Sequence, residues 1–246
     1  MNTTPMNKFQ PIIDQAKELA SQSEWQQAID LLLPLKAEKK LSPDQQADVW
    51  LTLGKYYTRL GEFQQASAHY DEAYKKAEIR DKLPELAKTL HQQGLLEIQR
   101  QNYDQALGYF RKELTKLSSE FANYFSFLSE NYYQQGLIML HLEEFSDARV
   151  YLGHAITYAG PNNNHNAKGN ALIALGKLNM IQNKKKDALK TFRQGYESFK
   201  QSGNKAGVAS VLKLINAFED IFQKEKGSRS GCQKMLAKID ELIGEL

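Results

Sequence analysis

The sequence of 246 residues predicts an all-α fold built from repeated pairs of helices. Apolar residues recur at helical spacing along most of the chain, whereas no stretch of about six residues alternates convincingly between apolar and polar side chains. A glycine inside an apolar helical segment returns at intervals of 40, 42 and 40 residues, and an alanine follows it twelve residues later each time. These observations indicate helices that pair in the same way several times.

The second helix pair defines the repeat most clearly. Its first helix is predicted at 43–60, because Ser42 can cap it, Pro43 suits its first turn and Gln45 stands three residues after the cap. A short turn at 60–62 separates it from a second predicted helix at 63–79. One face of each helix carries apolar or small residues at helical spacing: Trp50, Leu53, Gly54 and Tyr57 on the first, and Phe63, Ala66, Tyr70 and Ala73 on the second.

The other pairs repeat the same positions along the chain. They are predicted at 8–21 and 25–39, 83–100 and 103–117, 119–142 and 145–159, and 167–182 and 185–201. The recurring glycine and alanine are Gly54 and Ala66, Gly94 and Ala106, Gly136 and Ala148, and Gly176 and Ala188. Four residues after each alanine stands a large apolar residue: Tyr70, Phe110, Leu152 or Phe192. A degenerate earlier copy contains Ala16, Trp25, Ala28 and Leu32.

The recurring glycine predicts a close contact between two helices. A glycine inside a helix costs roughly 1 kcal/mol relative to alanine. Since each copy stands beside large apolar residues on one helix face, we expect a neighbouring helix to approach closely there. The packing of that neighbour's side chains would then offset the lost helix propensity.

The C-terminal part departs from the repeat. Helices are predicted at 204–223 and 230–244, separated by a break at 227–231. The last helix has an apolar face formed by Cys232, Met235, Leu236, Ile239, Leu242 and Ile243. Stacked repeats need a terminal cover for their apolar face, so we interpret 230–244 as a capping helix. The alternative is a dimerisation helix that buries the same face against a second copy.

The pattern Trp50-x2-Leu53-Gly54-x2-Tyr57, followed by Ala66 and Tyr70, resembles the signature of the tetratricopeptide repeat (TPR) family. This resemblance covers roughly residues 9–200 and implies a right-handed α-α superhelix, or TPR solenoid, of about five repeats plus the capping helix. We therefore predict a single domain, 1–246. Its repeats are 9–40, 43–79, 83–117, 119–159 and 167–201, followed by C-terminal helices in 204–246. The repeats are longer than the usual length of about 34 residues, as in bacterial peptide-sensor regulators and kinesin light chains.

Composition and charge exclude several classes of protein. No apolar run is long enough to span a membrane, and the N-terminus lacks the features of a signal peptide. The single cysteine, Cys232, fits a reducing interior, so we expect a cytoplasmic protein.

A net charge of +3 is too small to indicate nucleic-acid binding. The charge is nevertheless uneven, because residues 161–246 hold 15 Lys and Arg against 8 Asp and Glu, a net +7. This is either an unevenly charged solvated surface, or a basic patch for an acidic partner or for end-to-end association.

The sequence contains no recognisable catalytic or metal-binding constellation. The five histidines lack metal-ligand spacing, the segment 203–207 lacks the spacing of a phosphate-binding loop, and Cys232 is interpreted as a small buried hydrophobe. The run Lys184-Lys185-Lys186 is interpreted as a solvated turn. Most of the aromatic residues between Phe121 and Tyr133 are predicted to lie in the core, with one or two facing a binding groove. We therefore expect no enzyme activity, no cofactor and no metal.

The resemblance implies a concave groove lined by the first helix of each repeat. Polar and charged residues on those helices that lie off the packing face are the candidate peptide-binding residues: Lys55, Arg59, Lys88, His91, Gln92, Tyr133, Gln134, His141, Asn170 and Lys177. Side-chain amides and long cations suit the backbone groups and carboxylates of a bound peptide. The alternative for this set is a wetted surface without a ligand.

Two functions follow from these expectations. The first is a non-enzymatic module that binds a protein or peptide in the concave groove. The second is an intracellular signal-peptide sensor or regulatory protein that acts through a partner, similar to the repeat domains of bacterial peptide-pheromone regulators. Only about eight residues precede the first predicted helix, so we expect no DNA-binding domain in front of it. The sequence leaves the partner's identity and the oligomeric state open, with a homodimer through the last helix as one alternative.

Overall fold

The computed structural model describes residues 9–224, with side chains described as far as residue 216. This range is helical throughout, with short turns and no strand. The fold is therefore all-α and has the helix-pair organisation of a TPR solenoid, as the sequence predicts. The predicted capping or dimerisation helix at 230–244, together with Cys232, lies outside the described residues.

The chain divides into two compact units, 1–117 and 118–246. The single domain predicted from the sequence stays a prediction, and each unit is described by itself. In the first unit the helices are α1 (Gln10–Ser21), α2 (Trp25–Leu32), α3 (Pro43–Arg59), α4 (Phe63–Glu78), α5 (Leu83–Gln99) and α6 (Tyr103–Leu114). In the second they are α7 (Tyr124–His141), α8 (Phe145–Ala159), α9 (His165–Ile181), α10 (Lys185–Ser202) and α11 (Lys205–Lys224).

Helices neighbouring in sequence pack together within each unit. In the first unit, α1 packs on α2, α3 on α4 and α5 on α6, while α2 also contacts α3 and α4 contacts α5. In the second unit, α7 packs on α8 and α9 on α10, while α8 contacts α9 and α10 contacts α11. First helices of successive repeats touch as well, α3 with α5 and α7 with α9. Within each unit, each repeat is thus one helix pair that covers part of the following helix.

Each recurring glycine packs against a neighbouring helix, as predicted, and its contact there is the large residue sixteen positions later. A Cβ added to Gly94 would lie 2.7 Å from Phe110 Cε1, and one added to Gly136 would lie 2.8 Å from Leu152 Cγ. An added Cβ would likewise collide with the ring of Tyr70 at Gly54 and of Phe192 at Gly176. The four repeat alanines are fully buried in the same interfaces. The absence of a side chain on the first helix therefore makes room for a large one on the second.

The helix starts and turns follow local chemistry. Ser42 forms the predicted capping box: its Oγ accepts from the Gln45 amide at 3.2 Å, and Gln45 Oε1 accepts from the Ser42 amide at 3.0 Å. The turn inside each repeat contains one residue with positive φ, at intervals close to the repeat length: Ser23, Gly61, Gln101, Glu143 and Asn183. Only Gly61 is the residue type that adopts this conformation freely. The turn geometry is therefore conserved between repeats although its residue type is not.

Three predicted helices are at least three residues shorter in the structure, and one of them, predicted at 103–117, ends at Leu114. The helix predicted at 25–39 ends as an α-helix at Leu32 and continues as a 3₁₀ helix, Leu33–Ala37. Pro34 accounts for this change because it has no N–H to continue the α-helical hydrogen bonding. The helix predicted at 119–142 begins only at Tyr124, since residues 118–123 form turns.

The prediction that most of the aromatic residues near the start of α7 lie in the core was wrong. All six are only partly buried: Phe121, Tyr124, Phe125, Phe127, Tyr132 and Tyr133. Tyr132 stacks on two rings of α8, with ring centroids 6.1 Å from Tyr151 and 5.5 Å from Tyr158. Tyr124 and Phe125 also make ring contacts, with each other and, for Phe125, with Tyr158. These rings of α7 thus pack on one another and on α8 while part of their surface stays exposed.

Candidate peptide-binding surface

In the first unit, three of the predicted site residues are exposed on two helices that contact each other. Lys55 and Arg59 lie on α3, and Lys88 lies on α5. Gln92, one turn after Lys88, is half-buried. Three exposed cations and one half-buried amide thus lie on two contacting helices, a composition suited to carboxylates and backbone groups.

His91 does not belong to this exposed surface. It is 7% exposed, and its Nδ1 hydrogen-bonds to Glu113 Oε2 at 3.0 Å inside the α5–α6 pair. Its ring also meets the edge of Phe110, with centroids 5.5 Å apart. The expectation that His91 faces a groove is therefore corrected: it follows Leu90 on the packing side of α5, where a partner on the second helix satisfies it.

In the second unit, the predicted residues lie on α7 and α9, which also contact each other. His141 is exposed at the end of α7, whereas Tyr133 and Gln134 are half-buried in its middle. Asn170 and Lys177 are half-buried on α9. Burial, with a smaller contribution from the Glu130 carboxylate, raises the pKa of Tyr133 to about 12. Its hydroxyl therefore stays protonated at neutral pH and can donate a hydrogen bond.

A cluster around His69 on α3 and α4 was not predicted from the sequence, where this histidine was considered only as a metal ligand. His69 is 6% exposed and its Nδ1 donates to the Gln65 carbonyl at 2.7 Å. The ring lies between Trp50 and Tyr57, with centroids 5.2 and 4.9 Å away. Lys36 Nζ lies 4.5 Å from the centre of the Trp50 ring. Desolvation lowers the pKa of His69 below its ordinary value of 6.5, outweighing the hydrogen bond to Gln65.

We expect this histidine to contribute to acid sensitivity. Because its folded-state pKa lies below the unfolded value, the unfolded chain binds more protons as the pH falls through 6.5, and stability decreases. His69→Gln should therefore flatten the decline in the free energy of unfolding between about pH 7 and pH 5. Urea denaturation of both proteins at the two pH values measures this difference. A decline of equal size in both proteins would contradict the assignment.

Metal and membrane sites are not indicated by the geometry. Within residues 9–216 no three His, Cys, Asp or Glu side chains come together in a way that could hold a metal ion. Among the helices that the structure describes, none combines the length and the apolar character that a membrane crossing requires.

The sequence profile of the tetratricopeptide repeat family matches residues 44–117, and no curated protein matches the chain. This match, together with the paired helices and the glycine contacts, identifies tetratricopeptide repeats in the segment 44–117. Its fold resembles that of the apo form of the quorum sensor NprR from B. thuringiensis, with a TM-score of 0.74 at 13% identity over 98% of this chain and 72% of that one.

Two further solved structures share this fold. The apo form of RapI has a TM-score of 0.68 at 14% identity, covering 98% of this chain and 76% of that one. A Rap protein complexed with Competence and Sporulation Factor has a TM-score of 0.68 at 13% identity, covering 99% of this chain and 78% of that one. The chain thus shares its fold with these three proteins.

Proposed function

We propose that this chain is a binding module that holds a peptide or protein segment on the exposed faces of its first helices. Tetratricopeptide repeat proteins are generally binding or regulatory proteins rather than enzymes. The observation that carries the proposal is the exposed cationic surface of α3 and α5, where Lys55, Arg59 and Lys88 lie on two contacting helices. Such side chains can donate to the carboxylates and backbone carbonyls of a bound segment.

A role as a sensor of a signalling molecule is the second candidate. It is supported by the fold shared with a quorum sensor and with a Rap protein whose structure contains Competence and Sporulation Factor. In that case the chain would bind a short peptide and pass the signal to a separate protein. A neighbouring gene for a small secreted peptide or a DNA-binding protein would favour the sensor, whereas selective capture of one large protein would favour a scaffold.

We expect the double variant Arg59→Glu/Lys88→Glu to lose partner binding by about tenfold or more, because two attractive contacts become repulsive. The immobilised protein is used to capture partners from a native lysate, and the captured proteins and peptides are quantified by mass spectrometry. Both residues are exposed, so the melting temperature should change by no more than about 2 °C.

The matched control is Lys40→Glu/Arg111→Glu, which makes the same change of charge at exposed positions of the first unit away from α3 and α5. A partner retained by the control and lost by Arg59→Glu/Lys88→Glu supports the proposed surface. Equal capture by both variants and the wild type would refute it.

A further inference from the structure

A second surface lies in the second unit, along α10. A groove of about 840 Å³ runs between α8, α9 and α10. Its apolar lining consists of Leu172, which is buried, and of Ile156 and Leu189, which are half-buried. None of the residues predicted from the sequence to bind a peptide lines this groove. Its lining therefore shares no residue with the surface predicted from the sequence.

The groove is strongly basic. Lys168, Lys186, Lys190 and Arg193 line it, against the single carboxylate of Glu197. Lys186, Lys190 and Arg193 are exposed and Lys168 is half-buried. The three lysines make no salt bridge to any residue in the described part of the chain. Part of the excess positive charge of residues 161–246 therefore lines one groove with an apolar base. This charge attracts anionic ligands.

The shape of the groove favours an elongated ligand. Its residues on α10 extend from Lys186 to Gln201, recurring every three or four positions along one helix face. At 1.5 Å per residue this face is about 22 Å long, the length of a helix of about 15 residues. A helix that lies against it would place apolar side chains on the floor and acidic side chains beside the lysines.

We propose that this groove binds an acidic amphipathic helix of a partner protein. Charge complementarity selects the acidic face, and the apolar floor accepts residues at i, i+3, i+4 and i+7 of the partner helix. The site acts independently of the surface on α3 and α5. The chain can then hold one partner on α3 and α5 and a second in the groove between α8, α9 and α10.

The test uses a fluorescein-labelled peptide of about 16 residues with leucine on one face and glutamate on the other. Fluorescence anisotropy measures its affinity for the full chain. We expect Lys186→Glu/Lys190→Glu to weaken binding by about tenfold or more, and we expect added salt to weaken binding to the wild type. The control Lys205→Glu/Lys213→Glu makes the same charge change at exposed positions of α11 and should bind normally. Circular dichroism melting checks that all variants fold.

Several outcomes would overturn the proposal. These are no detectable binding, equal loss in both double variants, or equal binding of a peptide in which lysine replaces glutamate. Stronger binding of a 16-nucleotide single-stranded DNA would indicate nucleic acid instead. A concentration-dependent dimer that Lys186→Glu/Lys190→Glu abolishes would assign the groove to a second copy of the chain. Arg59→Glu/Lys88→Glu should leave peptide binding intact, so failure of this site and failure of the first surface are distinguishable.

Discussion

Replacing Gly94 with leucine is expected to lower the free energy of unfolding by about 3 kcal/mol. Even the first added atom, Cβ, would lie 2.7 Å from Phe110 Cε1 and 2.8 Å from Phe110 Cζ. The Phe110 side chain is fully buried, so its ring cannot swing into solvent to make room. The α5–α6 pair must then separate or repack, and denaturant unfolding measures the resulting loss.

The matched control is Gly108→Ala on α6. A Cβ added at Gly108 meets no atom within 4 Å, so alanine should stabilise the helix by about 0.5–1 kcal/mol. Gly94→Ala makes the same chemical change in the tight contact and should instead destabilise. The two alanine substitutions should therefore change the free energy of unfolding in opposite directions. This difference separates the effect of packing from that of helix propensity. A stabilising Gly94→Ala, or a neutral Gly94→Leu, would show that the close contact does not explain the recurring glycine.

Replacing Glu97 with alanine is expected to cost about 3 kcal/mol of unfolding free energy. The carboxylate is 3% exposed and accepts from Arg100 Nη1 and Asn102 Nδ2, each at 2.8 Å. Arg100 Nη2 in turn donates to the Phe63 carbonyl at the start of α4, at 2.7 Å. The substitution thus removes the buried acceptor of two hydrogen bonds, leaves the partly buried Arg100 without its carboxylate, and loosens the junction between two successive repeats. Thermal and urea unfolding measure the loss.

The control for this substitution is Glu130→Ala on α7, where the glutamate is exposed and the change should stay within about 0.5 kcal/mol. Glu97→Gln should have an intermediate effect, because the amide keeps one acceptor and loses the charge. Equal stability of Glu97→Ala and Glu130→Ala would mean that the hydrogen bonds around Glu97 contribute nothing net to the repeat junction.

The network around Glu97 has a counterpart in the second unit that the repeat pattern did not reveal. Asn179 stands three residues after Gly176, as Glu97 stands three after Gly94, and is also buried. Arg149 of α8 donates to Asn179 Oδ1 at 2.7 Å and to Gln182 Oε1 at 2.9 Å. An arginine thus links the end of a first helix to the preceding second helix in both units. The equivalent position is a glutamate in one repeat and an asparagine in the other. The repeated link was therefore not detectable from residue identity in the sequence.

The candidate site was only partly accessible to sequence reasoning. Helical spacing placed Arg59 and Lys88 away from the packing face, and both are exposed. The same spacing misplaced His91, since a histidine at the border of an apolar face can be buried when a neighbour such as Glu113 accepts its hydrogen bond. The basic groove along α10 was visible only as an excess of charge, because its lining comes from three separate helices.

The sequence by itself determined the helices, their pairing and the reason for the recurring glycine. These properties depend on spacing within about twenty residues, and helical geometry converts such spacing directly into one packed face. Tertiary structure alone decided the ends of α2 and α7, the burial of His91 and His69, the arginine links and the basic groove. Each of these features depends on which side chains from different helices are in contact. A periodic pattern along the sequence does not determine those contacts.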